Sequence, residues 1–338
     1  MSDLVTPQPI WEALQGFQVT AVLGTAIRLD LFDAMAQGKT DVQSLAGAVG
    51  ADERGLTVLL DALAALGFVV ADGPEYRPSP VAQTFLVREG GAYLGGLADV
   101  FYSDWQWKGH LDLADAVRRG GVIEDGQDVE APEHPFWQTF VDAWTGASFP
   151  SAHAVAEILG PWAGARQSLE ILDVACGSGI YGATLAGAHD PSHVTFLDWA
   201  PVLKSTRNYA EQFGVAQRAD YLEGDMFSVP LAGPYDVVLA SHVFHHFGPA
   251  RCVELLEKLR GSLKGDGHIV VHDFIVTTRN AQEPAAALIA VIMLIRTASG
   301  RIYSAEDYDE MLREAGFSTP ELHEIPGLPT RVMVAAPA

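Results

Sequence analysis

Three observations predict a doubly wound α/β domain preceded by a smaller, mostly α-helical one. The chain has 338 residues, more than one average domain, so two are expected. From Leu169 onward, short apolar runs alternate with helical stretches, the signature of a parallel sheet covered by helices on both faces. Before that point, residues 10–77 read as helix, helix, helix and hairpin, with no such alternation. An aromatic-rich stretch separates the two, so the expected divisions are 1–90, 91–165 and 166–338.

Composition narrows the function classes. Hydrophobic residues make up 49% of the chain and aromatics 9%, ample for a packed core. The net charge of −22 favours solubility and disfavours nucleic acid and anionic membrane as partners. The N-terminus has no basic segment followed by an apolar run, and the longest apolar run, 285–295, is too short to span a bilayer. Cys176 and Cys252 make no disulfide framework and read as reduced. A cytoplasmic protein is expected.

The N-terminal elements follow in order. Ile10, Leu14, Phe17, Ala21, Leu31 and Met35 recur at helical spacing and predict one helix from Ile10 to Ala36. Thr40 and Gln43 form a capping-box pattern for a short helix ending at Gly50. Asp52 caps the next helix, which Gly67 closes. Phe68-Val69-Val70, the turn Asp72-Gly73-Pro74 and Glu75-Tyr76-Arg77 complete a hairpin. This outline is that of a winged helix, which raises DNA binding. The helix that would enter the groove carries only Arg54 against Asp52, Glu53 and Asp61. Residues 1–150 hold 8 Lys/Arg and 21 Asp/Glu, a net of −13. Such a surface repels phosphates, so residues 1–90 are read as a dimerisation domain, and a homodimer is expected because helix 10–36 is too apolar to stand alone in water.

Residues 91–165 concentrate Phe101, Tyr102, Trp105, Trp107, Phe136, Trp137, Phe140 and Trp144, with an acidic stretch, Glu124 to Glu133, read as an exposed loop. Helix packing explains most of these rings. Trp137 and Phe140 are the ones expected to line a pocket for a small acceptor molecule.

The chemistry is written at the ends of the predicted strands. Leu169–Val174 reads as a strand, Cys176-Gly177-Ser178-Gly179 as a glycine turn, and Ile180 onward as a helix start. Glycines admit close backbone approach, and a helix N-terminus offers free N–H groups. Gly177-x-Gly179-x-x-Gly182 alone also fits a dinucleotide site. Asp173 argues otherwise: a carboxylate before the turn repels a pyrophosphate and attracts a ligand with an ammonium and no phosphate. S-adenosylmethionine is such a ligand. Asp198 ends the next strand, placed for ribose hydroxyls. Asp225 is placed for the adenine amine, with Met226 and Phe227 against the ring, and Ser241 opens the following cluster.

The series DVACGSG, FLDW, GDMF, HVFHHF, LKGDGHIVVHDF resembles the class I S-adenosylmethionine-dependent methyltransferases. With the winged helix in front, the chain looks like their dimeric small-molecule O-methyltransferase branch, of plant caffeate and bacterial antibiotic type. The resemblance implies that His245 is the general base and Asp273 its orienting acid. It also implies that the helix over 285–296 lines the acceptor pocket, with Met293 and Arg296 facing it. Members that deprotonate phenols carry a Glu in a Gly-Arg-Glu-Arg motif. The matching stretch here is Gly300-Arg301-Ile302-Tyr303, without the Glu.

The expected reaction is methyl transfer to a hydroxyl of a small aromatic or polyketide-like acceptor. C-methylation of an enolisable carbon, as in a 2-oxo acid, is the first alternative. In it a metal would sit among His242, His245, His246, His272 and Asp273, although no metal is the primary expectation. An NAD-dependent oxidoreductase is disfavoured by Asp173, and a winged-helix protein that only senses the cofactor remains the non-enzymatic alternative.

Overall fold

A computed structural model describes residues 5–90, 92–122, 134, 136–277 and 283–338. The acidic stretch 124–133 lies outside them. Residue proximity divides the chain into two units, one ending at Trp107 and the other running from Lys108 to Ala338. That division falls inside the aromatic-rich stretch 91–165.

In the first unit, α1 (Gln8–Arg28) and α2 (Leu31–Ala36) replace the single helix expected over 10–36. The break is at Asp30, whose φ of 54° is left-handed, so the chain turns and Leu31, Phe32 and Met35 enter the core. Arg88 Nη1 holds that turn, 2.6 Å from both Asp30 Oδ1 and Asp33 Oδ2. Helix α3 (Val42–Val49) is capped by Asp41, which accepts from the Ser44 N–H at 2.9 Å. The expected capping box at Thr40 is thus displaced by one residue, because the Thr40 carbonyl accepts from Tyr76 N in the hairpin. Helix α4 (Glu53–Ala65) is capped by Asp52 as expected. Strands β1 (Val69–Asp72) and β2 (Glu75–Pro78) form the antiparallel hairpin, followed by α5 (Pro80–Phe85) and α6 (Leu97–Phe101). Leu31, Phe32, Leu45, Leu56, Leu60 and Leu63 make the core. Ile10, Trp11, Leu14 and Phe17 of α1 stay 56–66% exposed.

After α7 (Asp104–Leu111) and α8 (Leu113–Arg119) comes α9 (Phe136–Ala163), a 28-residue helix containing Pro150 and Pro161. Each proline removes a backbone hydrogen bond. Burial of Val141, Ala152, Val155 and Leu159 against the next two helices offsets that loss. The sheet elements then alternate: β3 (Glu170–Val174), α10 (Ile180–Ala188), β4 (His193–Asp198), α11 (Ala200–Gln212), β5 (Ala219–Glu223), β6 (Tyr235–Ser241), α12 (Pro249–Arg260), β7 (Leu263–Asp273), α13 (Pro284–Arg296), α14 (Ala305–Glu314), β8 (Glu321–Glu324) and β9 (Arg331–Ala335).

Among the described residues these strands form a 7-stranded sheet in the order β5-β4-β3-β6-β7-β9-β8. The first five pair in parallel, whereas β9 runs antiparallel to both β7 and β8. Alternating side chains supply a core on each face: Leu172, Val174, Val238 and Val271 on one, Ile171, Val237, Leu239 and Val270 on the other. Gly265-Asp266-Gly267 lies inside β7, where the pairing with β6 shifts register between Tyr235 and Val237. Strand β8 is largely exposed and lacks the apolar run that announces a strand. No described helix is long and apolar enough to cross a membrane.

Candidate active site

The chain runs from β3 outward through β4 to β5, then returns to place β6 beside β3 on its other edge. Such a reversal opens a crevice at the carboxyl ends of the strands. A cavity of about 280 Å³ occupies it, lined by Asp173, Asp198, Asp225, Met226, Phe227 and Ser241 together with Gly177. These are the residues the sequence assigned to the cofactor. Gly179, also assigned, is not among the lining residues, and with φ at 77° a Cβ there would come within 2.6 Å of the Phe196 ring.

The carboxylates hold the turn from below. Asp173 Oδ2 accepts from Gly182 N at 2.8 Å, and Gly182 has no room for a Cβ, which would lie 2.9 Å from that same oxygen. Asp198 Oδ2 accepts from Gly177 N at 2.9 Å and Oδ1 from Trp199 N at 2.7 Å. Asp225 Oδ1 accepts from Phe227 N at 3.0 Å. Burial pushes Asp173 up from 3.8 to about 8, with the Gly182 N–H opposing and the Asp198 charge adding. Burial likewise lifts Asp198 to about 6 against the Gly177 and Trp199 N–H groups. A cationic ligand reverses such desolvation by pairing with the ionised form. A phosphate-bearing one worsens it. The donor set therefore fits S-adenosylmethionine, whose ammonium and sulfonium are both positive.

Asp173 also makes stability depend on pH. Its folded pKa lies above the unfolded value, so the folded state holds the proton more tightly between about 4 and 8. Stability falls as pH rises through that window. The melting midpoint of the ligand-free protein is expected to drop from pH ~5 to ~8 less steeply in Asp173→Asn than in the parent. Parallel slopes in the two proteins would contradict this.

A 3₁₀ turn at Phe244–His246 follows β6 and carries two histidines. His245 is buried, and its Nδ1 lies 2.5 Å from Asp273 Oδ1 at the end of β7. Asp273 is fully buried and also accepts from Phe274 N and, at Oδ2, from the Tyr308 hydroxyl at 2.8 Å. Burial pushes the Asp273 carboxyl up, but the His245 charge and the hydrogen bonds from His242 and His245 outweigh it, holding the group well below the carboxylate range. Tyr308 was missed from sequence, and its chain position on α14 gives no signal of this contact. The backbone of Gly300-Arg301 backs the turn: Arg301 N donates to the His245 carbonyl at 2.8 Å, and a Cβ on Gly300 would collide with that oxygen.

His246 and His242 line the cavity, whereas His245 is not part of its wall. His242 stands at φ 56°, a left-handed geometry that is costly for a side chain with a Cβ. Burial, then the adjacent His245, push His246 well below its ordinary range, leaving it neutral. Of the five residues expected as metal ligands, His242, His245 and Asp273 have ligand atoms within 4.8 Å of one another. His246 and His272 stand outside that group, and His272 Nε2 pairs with Thr330 Oγ1 at 2.9 Å.

The expected acceptor residues divide. Trp137 and Phe140 line the cavity with Trp144, and Phe140 stacks on Trp144 with ring centres 5.2 Å apart. Met293 and Arg296 do not line it; both are buried. The end of α13 packs on α8, and a Cβ on Gly109 would come within 2.4 Å of Arg296 Nη2. Burial lowers that guanidinium to about 10, opposed by Asp112. The aromatics of the first unit pack within it, Trp107 meeting Tyr102 and Phe17 edge-on.

Comparison with known proteins agrees with this geometry. Residues 156–318 match the model of the O-methyltransferase domain, and residues 11–88 match that of the O-methyltransferase dimerisation domain. Acetylserotonin O-methyltransferase of Mus musculus molossinus is 31% identical, over 97% of this chain and 87% of that protein. The 3-hydroxy-5-methyl-1-naphthoate 3-O-methyltransferase of Streptomyces sahachiroi is 27% identical, over 92% and 90%. A crystal structure from Nostoc punctiforme PCC 73102, provisionally named an O-methyltransferase, superposes with a TM-score of 0.91 at 30% identity over 99% of this chain and 100% of that one. Human N-acetylserotonin methyltransferase, solved with S-adenosylmethionine, shares the fold at a TM-score of 0.85 and 22% identity, over 100% of this chain and 99% of that one. From the cavity carboxylates to the two domain models, matched in chain order, the conclusion is one: the chain belongs to the S-adenosylmethionine-dependent O-methyltransferase family.

Proposed function

We propose that the protein methylates a hydroxyl oxygen of a small, planar aromatic acceptor, with His245 as general base. The observation that carries this reading is the chain of hydrogen bonds from His245 through Asp273 to Tyr308, set beside a cavity walled by Trp137, Phe140 and Trp144. When bound, S-adenosylmethionine supplies an electrophilic methyl group on a positive sulfur. The protein has two remaining tasks, holding the acceptor oxygen in line and removing its proton. The aromatic wall favours a flat ring by stacking and edge contacts. Alignment of two reactants accounts for much of the acceleration in such displacements. With Nδ1 committed to Asp273, the other ring nitrogen of His245 takes the hydroxyl proton as the new C–O bond forms, and ionised Asp273 stabilises the imidazolium. Relatives named for acetylserotonin and for a hydroxynaphthoate support an aromatic acceptor.

The second reading, metal-assisted C-methylation of a 2-oxo acid, draws on the grouping of His242, His245 and Asp273. The His245–Asp273 hydrogen bond supports the base reading, since it orients the imidazole and stabilises the imidazolium that proton removal creates. Labelled S-adenosylmethionine offered with phenolic and 2-oxo acid acceptors, with and without a chelator, separates the two. Labelled phenol ethers formed in the presence of chelator support the first. Label on carbon, lost on chelation, supports the second.

A homodimer is also proposed, from the match of residues 11–88 to a dimerisation domain. Burying each exposed large side chain of α1 contributes roughly 1.5–3 kcal/mol, so a second copy is the natural cover for Leu14 and Phe17. Sedimentation of the full chain is expected to give a dimer, and of the doubly substituted Leu14→Glu, Phe17→Glu chain a monomer. A dimer that survives both charges would place the interface elsewhere.

A further inference from the structure

Arg251 lines the cavity yet belongs neither to the cofactor carboxylates, nor to the His245–Asp273 pair, nor to the aromatic wall. It stands in the first turn of α12, and its guanidinium carbon lies 3.6 Å from the centre of the Phe227 ring. A cation near a helix N-terminus opposes the helix dipole, so its place there needs offsetting contacts. Glu254, one turn on, supplies the first: its Oε2 accepts from Arg251 Nη1 at 2.6 Å. The negative face of the Phe227 ring supplies the second. Among the described residues, this is the cation–ring contact whose two members both line the cavity. Phe227 has two further anchors. Its backbone N–H donates to Asp225 Oδ1 at 3.0 Å, and its ring meets that of Phe247 nearly edge-on, with centres 5.0 Å apart. Two turns beyond Arg251, Lys258 Nζ donates to the Val229 carbonyl at 2.6 Å. Positions 251, 254 and 258 share one helix face, so α12 clasps the loop after β5 at two points, one of them the Phe227 ring.

We infer that Arg251 is a positioning residue for the cofactor: fixed by Glu254 and stacked on Phe227, it holds that ring in the cavity wall where the ring meets the adenine. This rests on the reading of Met226 and Phe227 as the residues against the adenine. A ring held in place before the ligand arrives loses less freedom on binding, and the ligand binds more tightly for it. The Arg251 side chain is 46% exposed, so the contact sits at the rim of the cavity, where water screens it, and its effect is that of an exposed cation–ring pair.

Titration calorimetry with S-adenosylhomocysteine, run well below the melting midpoint of each protein, measures the four corners of a double-mutant cycle: parent, Arg251→Met, Phe227→Leu and the two combined. Arg251→Met keeps the stem and removes the charge. It is expected to weaken binding by about 2–5-fold, the fold-change equivalent of an exposed cation–ring contact. Arg251→Lys, which keeps a charge without the planar stack, is expected to fall between parent and Met. Phe227→Leu is expected to lose about 5–150-fold, the scale of one base–ring stack, and the added Arg251→Met to cost nothing further. An Arg251→Met protein that binds as the parent does overturns the inference, whatever its melting midpoint, because the role is then structural. A loss that persists undiminished in the Phe227→Leu background overturns it as well, since Arg251 then touches the cofactor itself, and leaves the adenine assignment standing. Parent-like affinity in Phe227→Leu overturns both.

Discussion

His245→Gln is expected to reduce kcat by about 10²–10⁴, the contribution of a positioned general base, while leaving the affinity for S-adenosylmethionine unchanged. A phenol with a pKa near ~10 is almost wholly protonated at neutral pH, and so is a weak nucleophile until a base takes its proton. Glutamine fills similar space and can still donate to Asp273, so the protein should fold, but it has no nitrogen able to accept that proton. The chain of contacts behind His245 predicts a graded series. Asp273→Asn keeps a hydrogen bond to His245 and loses the charge that stabilises the imidazolium. It should cost less than His245→Gln. Tyr308→Phe removes only the hydroxyl that donates to Asp273 Oδ2 and should cost least. Single-turnover rates at saturating cofactor check the order. A His245→Gln protein with full turnover would remove His245 from the chemistry, and metal-dependent activity lost in step with bound metal would move the series to the C-methylation reading.

Asp198→Ala should weaken S-adenosylmethionine binding by about 1–3 kcal/mol, the scale for losing hydrogen bonds to a charged group. Two losses combine in that figure. The carboxylate no longer faces the cavity, and the Gly177 and Trp199 N–H groups that it holds at 2.9 and 2.7 Å lose their acceptor. Asp198→Asn separates them, because the amide can keep one backbone contact but carries no charge. Its affinity should fall between parent and Ala. Titration calorimetry with S-adenosylhomocysteine and with NAD measures both affinity and selectivity. Tight NAD binding by the parent, or an Asp198→Ala protein that binds S-adenosylhomocysteine normally, would contradict the assignment.

The grouping of the acids proposed for the cofactor was legible in the sequence. In a parallel sheet the strand ends share one edge, so acids that close successive apolar runs must come together. Asp173, Asp198 and Asp225 do so, and all three line one cavity. The acceptor half was less legible. The run from 285 to 295 is apolar on every side, and a helix without a polar face gives no sign of which side meets a cavity. Met293 and Arg296 are not among the lining residues of the cavity. Helix α9 was obscured by Pro150 and Pro161, local helix breakers that only the burial along its length overrides.

By itself the sequence determined the alternation of strands and helices, the glycine turn and the cap at Asp52. These depend on neighbours within a few positions, where propensity and periodicity act. Only the tertiary structure decided that Tyr308 reaches Asp273 across 35 residues, that β9 runs antiparallel to β7, and which histidine meets the cavity. His245 and His246 are adjacent in a 3₁₀ turn, where three residues complete each turn and successive side chains point about 120° apart. One imidazole therefore turns inward to Asp273 while the next joins the cavity wall, a division that depends on how β6, β7 and α14 pack around the turn.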